Sequence, residues 1–157
     1  MTAVGILPAG KGGVLTIDEF MAAIEKSGGL VPRLGISVEV VGDEPVCRMT
    51  IGPAHIAAPD AAHGGAVMTL LDSALGLTAL AYAIPHGQST STVEMKVNFL
   101  RPARRGRTLV TSTVIQSAGG SLLVATGKAT DAETGEAVAF AVGTFNLYKA
   151  DVGNRFG

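Results

Sequence analysis

His63, Gly64 and Gly65 open a long apolar stretch, and Asp72, nine positions after the histidine, is its one ionisable carboxylate. That aspartate is the only residue of the stretch able to act as a general base or a carboxylate nucleophile. A carboxylate buried without a partner is costly, so its presence there needs a reason. Gly64 and Gly65 lie where a helix would begin. Helix N-termini carry unpaired N–H groups and the positive end of the dipole, and a residue without Cβ lets a carbonyl oxygen come close. A group that activates water or attacks, with donors aimed at a developing oxyanion, is the equipment of acyl transfer.

The element that holds these groups is a helix over 63–84. From 66 to 84 it contains no Lys, Arg, Pro or Asn. A helix apolar on nearly all sides is either a membrane span or the centre of a soluble fold, and its length, roughly 20 residues, fits either. The central Asp and the flanking Gly and His weigh against a span. On a helical projection Gly65, Thr69, Asp72, Gly76, Ala79 and Ala83 share one face of small residues, while Leu70, Ala74, Leu77, Ala81 and Ile84 form a core-packing stripe.

The remaining chain supplies strands. Residues 1–15 are Gly-rich and aperiodic and read as a loose arm; 16–157 read as a single domain. Residues 16–26 form an amphipathic helix capped by Thr16 with Glu19 three positions on, ended by Ser27, Gly28 and Gly29. Runs 36–41 and 46–51 make a hairpin. Pro53 and Pro59 bracket an irregular connection, and Pro85, His86 and Gly87 stop the central helix. The run 90–99 alternates, with Thr90, Thr92, Glu94, Lys96 and Asn98 on a polar side and Ser91, Val93, Met95, Val97 and Phe99 on a buried one. Further strands are expected at 108–116, 122–130 and 137–148. Their connections are too short for crossovers, so the sheet is antiparallel and the class α+β.

Composition narrows the function. The chain has 157 residues and a formal charge of −1, which is one domain with no electrostatic reason to bind nucleic acid or an anionic membrane. The single Cys47 sits in a strand-like run and reads as a buried structural thiol. The first residues lack the pattern of a signal peptide, and the expected location is cytoplasmic.

With His63-Gly64-Gly65, the helical Asp72 nine positions on, and Phe99-Leu100-Arg101-Pro102 closing the next strand, residues 33–148 resemble the hotdog-fold thioesterases, in the PaaI-like branch of the 4-hydroxybenzoyl-CoA thioesterase superfamily. The resemblance implies a curved antiparallel sheet of five to six strands wrapped around one long central helix. It implies an acyl-CoA thioesterase working as a homodimer or homotetramer, without metal or other cofactor, with active sites at the dimer interface. It assigns base or nucleophile to Asp72, the oxyanion donor to the Gly64 N–H, and an orienting or capping role to His63. Thr92 occupies the family's Ser/Thr position and is expected to hold the water, with Gly65 beside the substrate. The family's Asn six positions before the histidine is Ala57 here, leaving His55 or Asp60 to supply that contact.

Arg101, Arg104, Arg105 and Arg107 form the chain's one cationic cluster, suited to the phosphates of CoA; Arg101, Arg104 and Arg105 are the expected substrate contacts. The turn at 117–121 lacks the cation many members carry. Two other readings compete. A hydratase or dehydratase would pair His63 with Asp72, without the Pro and Phe that accompany such a histidine. A non-catalytic acyl-CoA-binding protein would have no use for Asp72.

Overall fold

The computed structural model describes residues 7–9, 13–15 and 17–149. Within the N-terminal arm β1 (Leu7–Ala9) pairs antiparallel with β2 (Gly13–Leu15). The rest of the arm and Thr16, the expected helix cap, lie outside the described residues. Helix α1 (Ile17–Ser27) is followed by one further turn, α2 (Leu30–Arg33), which the sequence pattern does not announce. Strands β3 (Ser37–Val41) and β4 (Glu44–Thr50) form the expected hairpin. The irregular connection folds into the small hairpin β5 (Ile56–Ala58) and β6 (Ala61–Ala62), and delivers the chain to α3 (Gly64–Ala83). Gly87, at φ 68, ends the short turn after α3 in a conformation that favours glycine. Then come β7 (Gln88–Phe99), β8 (Thr108–Gly119), β9 (Leu122–Asp131) and β10 (Ala137–Lys149).

Six strands make one antiparallel sheet in the order β3-β4-β8-β9-β10-β7, and α3 packs on β4, β7, β8, β9 and β10. This is the hotdog arrangement. The helix is long and apolar enough to cross a membrane by length and composition, yet Leu70, Leu71, Ala74 and Leu75 are fully buried against the sheet. Burial of each such leucine contributes about 1.5–3 kcal/mol.

The sheet receives these leucines along a lane of small residues two strands wide, formed by the register pairs Ala129 with Ala139, Gly127 with Ala141 and Ala125 with Gly143. A Cβ on Gly127 would stand 3.2 Å from Leu75 Cγ, and one on Gly143 would stand 2.8 Å from Phe145 Cε2. Close approach of helix to sheet therefore depends on missing side chains. The expected small-residue face of α3 is split: Ala79 and Ala83 are buried in this packing, and Thr69, Asp72 and Gly76 are half-buried.

Strand β7 departs from simple alternation. Against β10, Glu94 pairs with Thr144 and Thr92 pairs with Phe145, so Val93 has no partner and forms a bulge. One extra residue exchanges the faces of everything before it. Thr92 and Thr90 thus share the helix-facing side with Met95, Val97 and Phe99, and not the polar side with Glu94. The other face of the prediction also changes: Val93 is 61% and Phe99 52% exposed in the single chain. Strand β7 lies at the edge of the sheet.

Candidate active site

The start of α3 is built from the backbone outward. The His63 N–H donates to the His55 carbonyl at 2.6 Å, and the Ala66 N–H donates to the His63 carbonyl at 3.0 Å. His63 is the N-cap, with its Nδ1 accepting from the Gly65 N–H at 2.9 Å. Of the first three N–H groups of the helix, only that of Gly64 has no acceptor among the described residues. It sits at the positive end of the helix dipole. A Cβ at Gly64 would lie 3.1 Å from Phe99 Cζ, which the half-exposed ring can relieve by moving a few tenths of an ångström, and one at Gly65 would lie 2.9 Å from His63 Nδ1 and push the capping imidazole aside.

A groove of about 450 Å³ opens beside Gly64, walled by Val67, Phe99, Leu100 and Val138 with Arg101 at its polar side. Its walls suit an extended apolar arm, and the free N–H suits an oxygen carrying negative charge.

Asp72 lies two turns further along α3, half-buried. Its Oδ1 accepts from the Thr92 hydroxyl at 2.9 Å, so the carboxylate has the partner its position called for. The bulge at Val93 is what brings Thr92 there. Asp72 and Gly64 are eight residues apart on one helix, which is roughly 12 Å along the axis. Within a single chain they do not converge on one carbonyl.

The arginine loop is less cationic than its sequence. Arg101 pairs with Glu136 at 3.2 Å and donates to the Ala137 carbonyl at 2.9 Å. Arg104 pairs with Asp60 at 3.2 Å, and Arg107 meets Asp131 at 3.5 Å and Glu133. Arg105 alone of the four has no acidic partner among the described residues. Two backbone N–H groups, those of Glu133 and then Thr134, hold the Asp131 carboxyl below its ordinary value against some desolvation, and the Arg107 charge adds to them. The four acids come from 60 and from 131–136, far from the loop in sequence, which is why sequence reading missed them.

Of the two candidates to replace the missing Asn, Asp60 turns to Arg104 and His55 turns inward. His55 is 7% exposed; its Nδ1 accepts from the Gly52 N–H at 2.8 Å and its Nε2 donates to the Leu34 carbonyl at 2.9 Å. Cys47 is fully buried, and burial pushes its thiol up to about 12 despite a hydrogen bond with Thr111. It stays protonated at neutral pH and is no nucleophile.

One long apolar helix laid on a six-stranded antiparallel sheet defines the hotdog fold. Comparison with known proteins agrees. The family model described as Thioesterase superfamily matches residues 60–138. A protein of Halobacterium salinarum provisionally named an esterase is 31% identical over 134 residues, 78% of this chain and 87% of that protein. The chain belongs to the thioesterase superfamily and is a thioester hydrolase. Among solved structures, zebrafish thioesterase superfamily member 2 superposes with a TM-score of 0.74 at 22% identity, covering 85% of this chain and 99% of the other. The PaaI protein of E. coli, from the phenylacetic acid degradation operon, gives 0.69 at 21% identity, with 82% and 92% covered. The smu.793 protein of Streptococcus mutans, solved with acetyl-CoA bound, gives 0.63 at 21%, with 73% and 89% covered.

Proposed function

We propose that the protein hydrolyses acyl-CoA thioesters at a site shared between two copies of the chain, in a homodimer or a homotetramer built from such dimers. The observation that carries this reading is the separation of Asp72 from Gly64: the proposed base and the proposed oxyanion donor both belong to α3, yet lie too far apart to serve one carbonyl. Antiparallel pairing of two copies through the edge strand β7, which carries the exposed Val93 and Phe99, would set Asp72 of one copy opposite Gly64 of the partner subunit.

In this reading Thr92 occupies Oδ1 of Asp72, leaving Oδ2 to take a proton from water. The water oxygen attacks the thioester carbon, and the Gly64 N–H receives the oxyanion. The C–S bond breaks, and the proton on Asp72 passes to the departing CoA sulfur. Alternatively, Oδ2 attacks the thioester carbon, the C–S bond breaks to release CoA thiolate, and water hydrolyses the resulting anhydride, freeing Asp72 and supplying the proton that the thiolate takes. Arg105 meets the CoA phosphates, and Arg104 and Arg101 join by exchanging exposed carboxylates for phosphate. No cofactor is needed, and the substrate accords with a cytoplasmic location. The acetyl-CoA bound by the Streptococcus mutans protein supports a CoA thioester as substrate.

A hydratase reading would require His63 to work with an acid. Its Nδ1 is engaged by Gly65, and Asp72 pairs with Thr92. The deciding experiment is release of free thiol from a panel of aromatic and short- to medium-chain acyl-CoAs, with crotonyl-CoA hydration followed in parallel. Hydration without thiol release would overturn the thioesterase reading.

A further inference from the structure

At Ala57 this chain lacks a polar side chain ahead of the catalytic helix, and the structure places a different device there. We infer that His55 is a positioning residue: it fixes the first turn of α3 so that the N–H of Gly64, and not that of Gly65, is presented to the groove. The inference rests on the proposed oxyanion role of Gly64.

Three elements meet at His55. Its Nε2 donates to Leu34, just past the end of α2, at 2.9 Å; its Nδ1 accepts from Gly52, at the start of the turn Pro53–His55, at 2.8 Å; its carbonyl accepts the His63 N–H at 2.6 Å. Gly52 can only donate and Leu34 can only accept, so the ring is the neutral Nε2–H tautomer. With both ring nitrogens engaged, the backbone of residue 55 is held from two sides, and its carbonyl becomes a fixed post for His63. His63 in turn spends its Nδ1 on Gly65. The Gly65 N–H is thereby masked and the Gly64 N–H left free.

The second anchor of this segment is at its other end. Ala62 donates its N–H to the Ala103 carbonyl at 2.8 Å, and Ile56 pairs with Ala62 in the β5–β6 hairpin. That anchor holds the residue just before the cap, and the His55 carbonyl holds the cap residue itself, so His63 enters the helix between the two and only His55 bonds it directly. Leucine at 55 fills the space but leaves the Gly52 N–H and the Leu34 carbonyl unpaired in a buried site, and an oxyanion donor displaced by a fraction of an ångström loses much of its effect.

The test compares His55→Leu with His55→Gln, whose amide offers one acceptor and one donor side. In folded His55→Leu, kcat should fall about tenfold or more with KM within about twofold, and the Gly65 amide should exchange its hydrogen about tenfold faster while amides in the middle of α3 are unchanged. His55→Gln should recover most of both. A folded His55→Leu with kcat within twofold of the parent, or with unaltered Gly65 exchange, overturns the inference. If His55→Leu does not fold, His55→Asn, which reaches Gly52 but not Leu34, replaces it: a lower melting temperature with unchanged kcat would reduce His55 to a structural residue, and a kcat loss rescued by Gln would support positioning. Should the parent protein release thiol from no acyl-CoA, the proposed function falls, and Gly65 exchange still reads His55.

Discussion

The hydroxyl of Thr92, on an edge strand, donates to Oδ1 of Asp72, in the middle of the central helix, at 2.9 Å. The contact exists because Val93 is bulged out of the ladder, since a regular strand would point Thr92 away from the helix. A side chain fixed in this way orients the carboxylate and leaves its Oδ2 free, the oxygen that the proposed mechanism gives to water.

Asp72→Asn should therefore lower kcat by on the order of a hundredfold or more, as loss of a general base does, with binding of a non-hydrolysable thioester analogue retained. Thr92→Val should cost less, about tenfold in kcat, because it removes one hydrogen bond to the carboxylate and leaves the base. Steady-state kinetics on the two variants decide the matter. Near-normal turnover in folded Asp72→Asn would remove the aspartate from the mechanism.

A shared site predicts complementation. Gly64→Pro deletes the proposed oxyanion donor at a position where the backbone accepts proline: Gly64 is the first helical residue, and His63 before it is at φ −60, ψ 137. Neither Gly64→Pro nor Asp72→Asn should be active alone. Mixed and reassorted, they should regain about a quarter of parental activity, because half the random dimers are mixed and each holds one intact site. A mixture as inactive as its components would place both groups in the same chain's site.

For the nucleotide, the pairing pattern singles out Arg105. Arg105→Ala should raise KM for acyl-CoA about fivefold and leave KM for the matching acyl-pantetheine unchanged, whereas Arg104→Ala, already paired to Asp60, should have a smaller effect. Equal changes on both substrates would return the loop to ordinary solvated surface.

Acid should loosen the β9–β10 turn in a defined window. The Asp131 carboxyl titrates below its ordinary value of 3.8 in the folded protein, chiefly because it accepts the backbone N–H groups of the turn. Its contribution to stability is thus fully present above that value and disappears as pH falls through the lower, folded-state one. Urea midpoints of the parent and Asp131→Asn should differ at pH 6 and converge as pH is taken well below 3.8. A gap that stays constant down to that range would show that the charge is not what the turn uses.

The amino-acid sequence by itself determined the central helix and the antiparallel strands around it, and it singled out Asp72 and Gly64 as candidate site residues, because each is written in local terms. Residues 66–84 have no charge but Asp72, the later strands are bounded by turn residues, and His63-Gly64-Gly65 lies where the helix starts. Three features were decided only by the tertiary structure. The bulge at Val93, which moves Thr92 to the helix side, is a register relation between β7 and β10, and alternation within β7 alone gives the opposite face. The arginine cluster is balanced by Asp60, Asp131, Glu133 and Glu136, which reach it through the fold and not through sequence proximity. His55 reads in sequence only as one of two candidates to supply the missing Asn contact; its hold on Leu34 and Gly52 arises because the turn at 53–55 buries the ring, and a buried imidazole must find partners for both nitrogens.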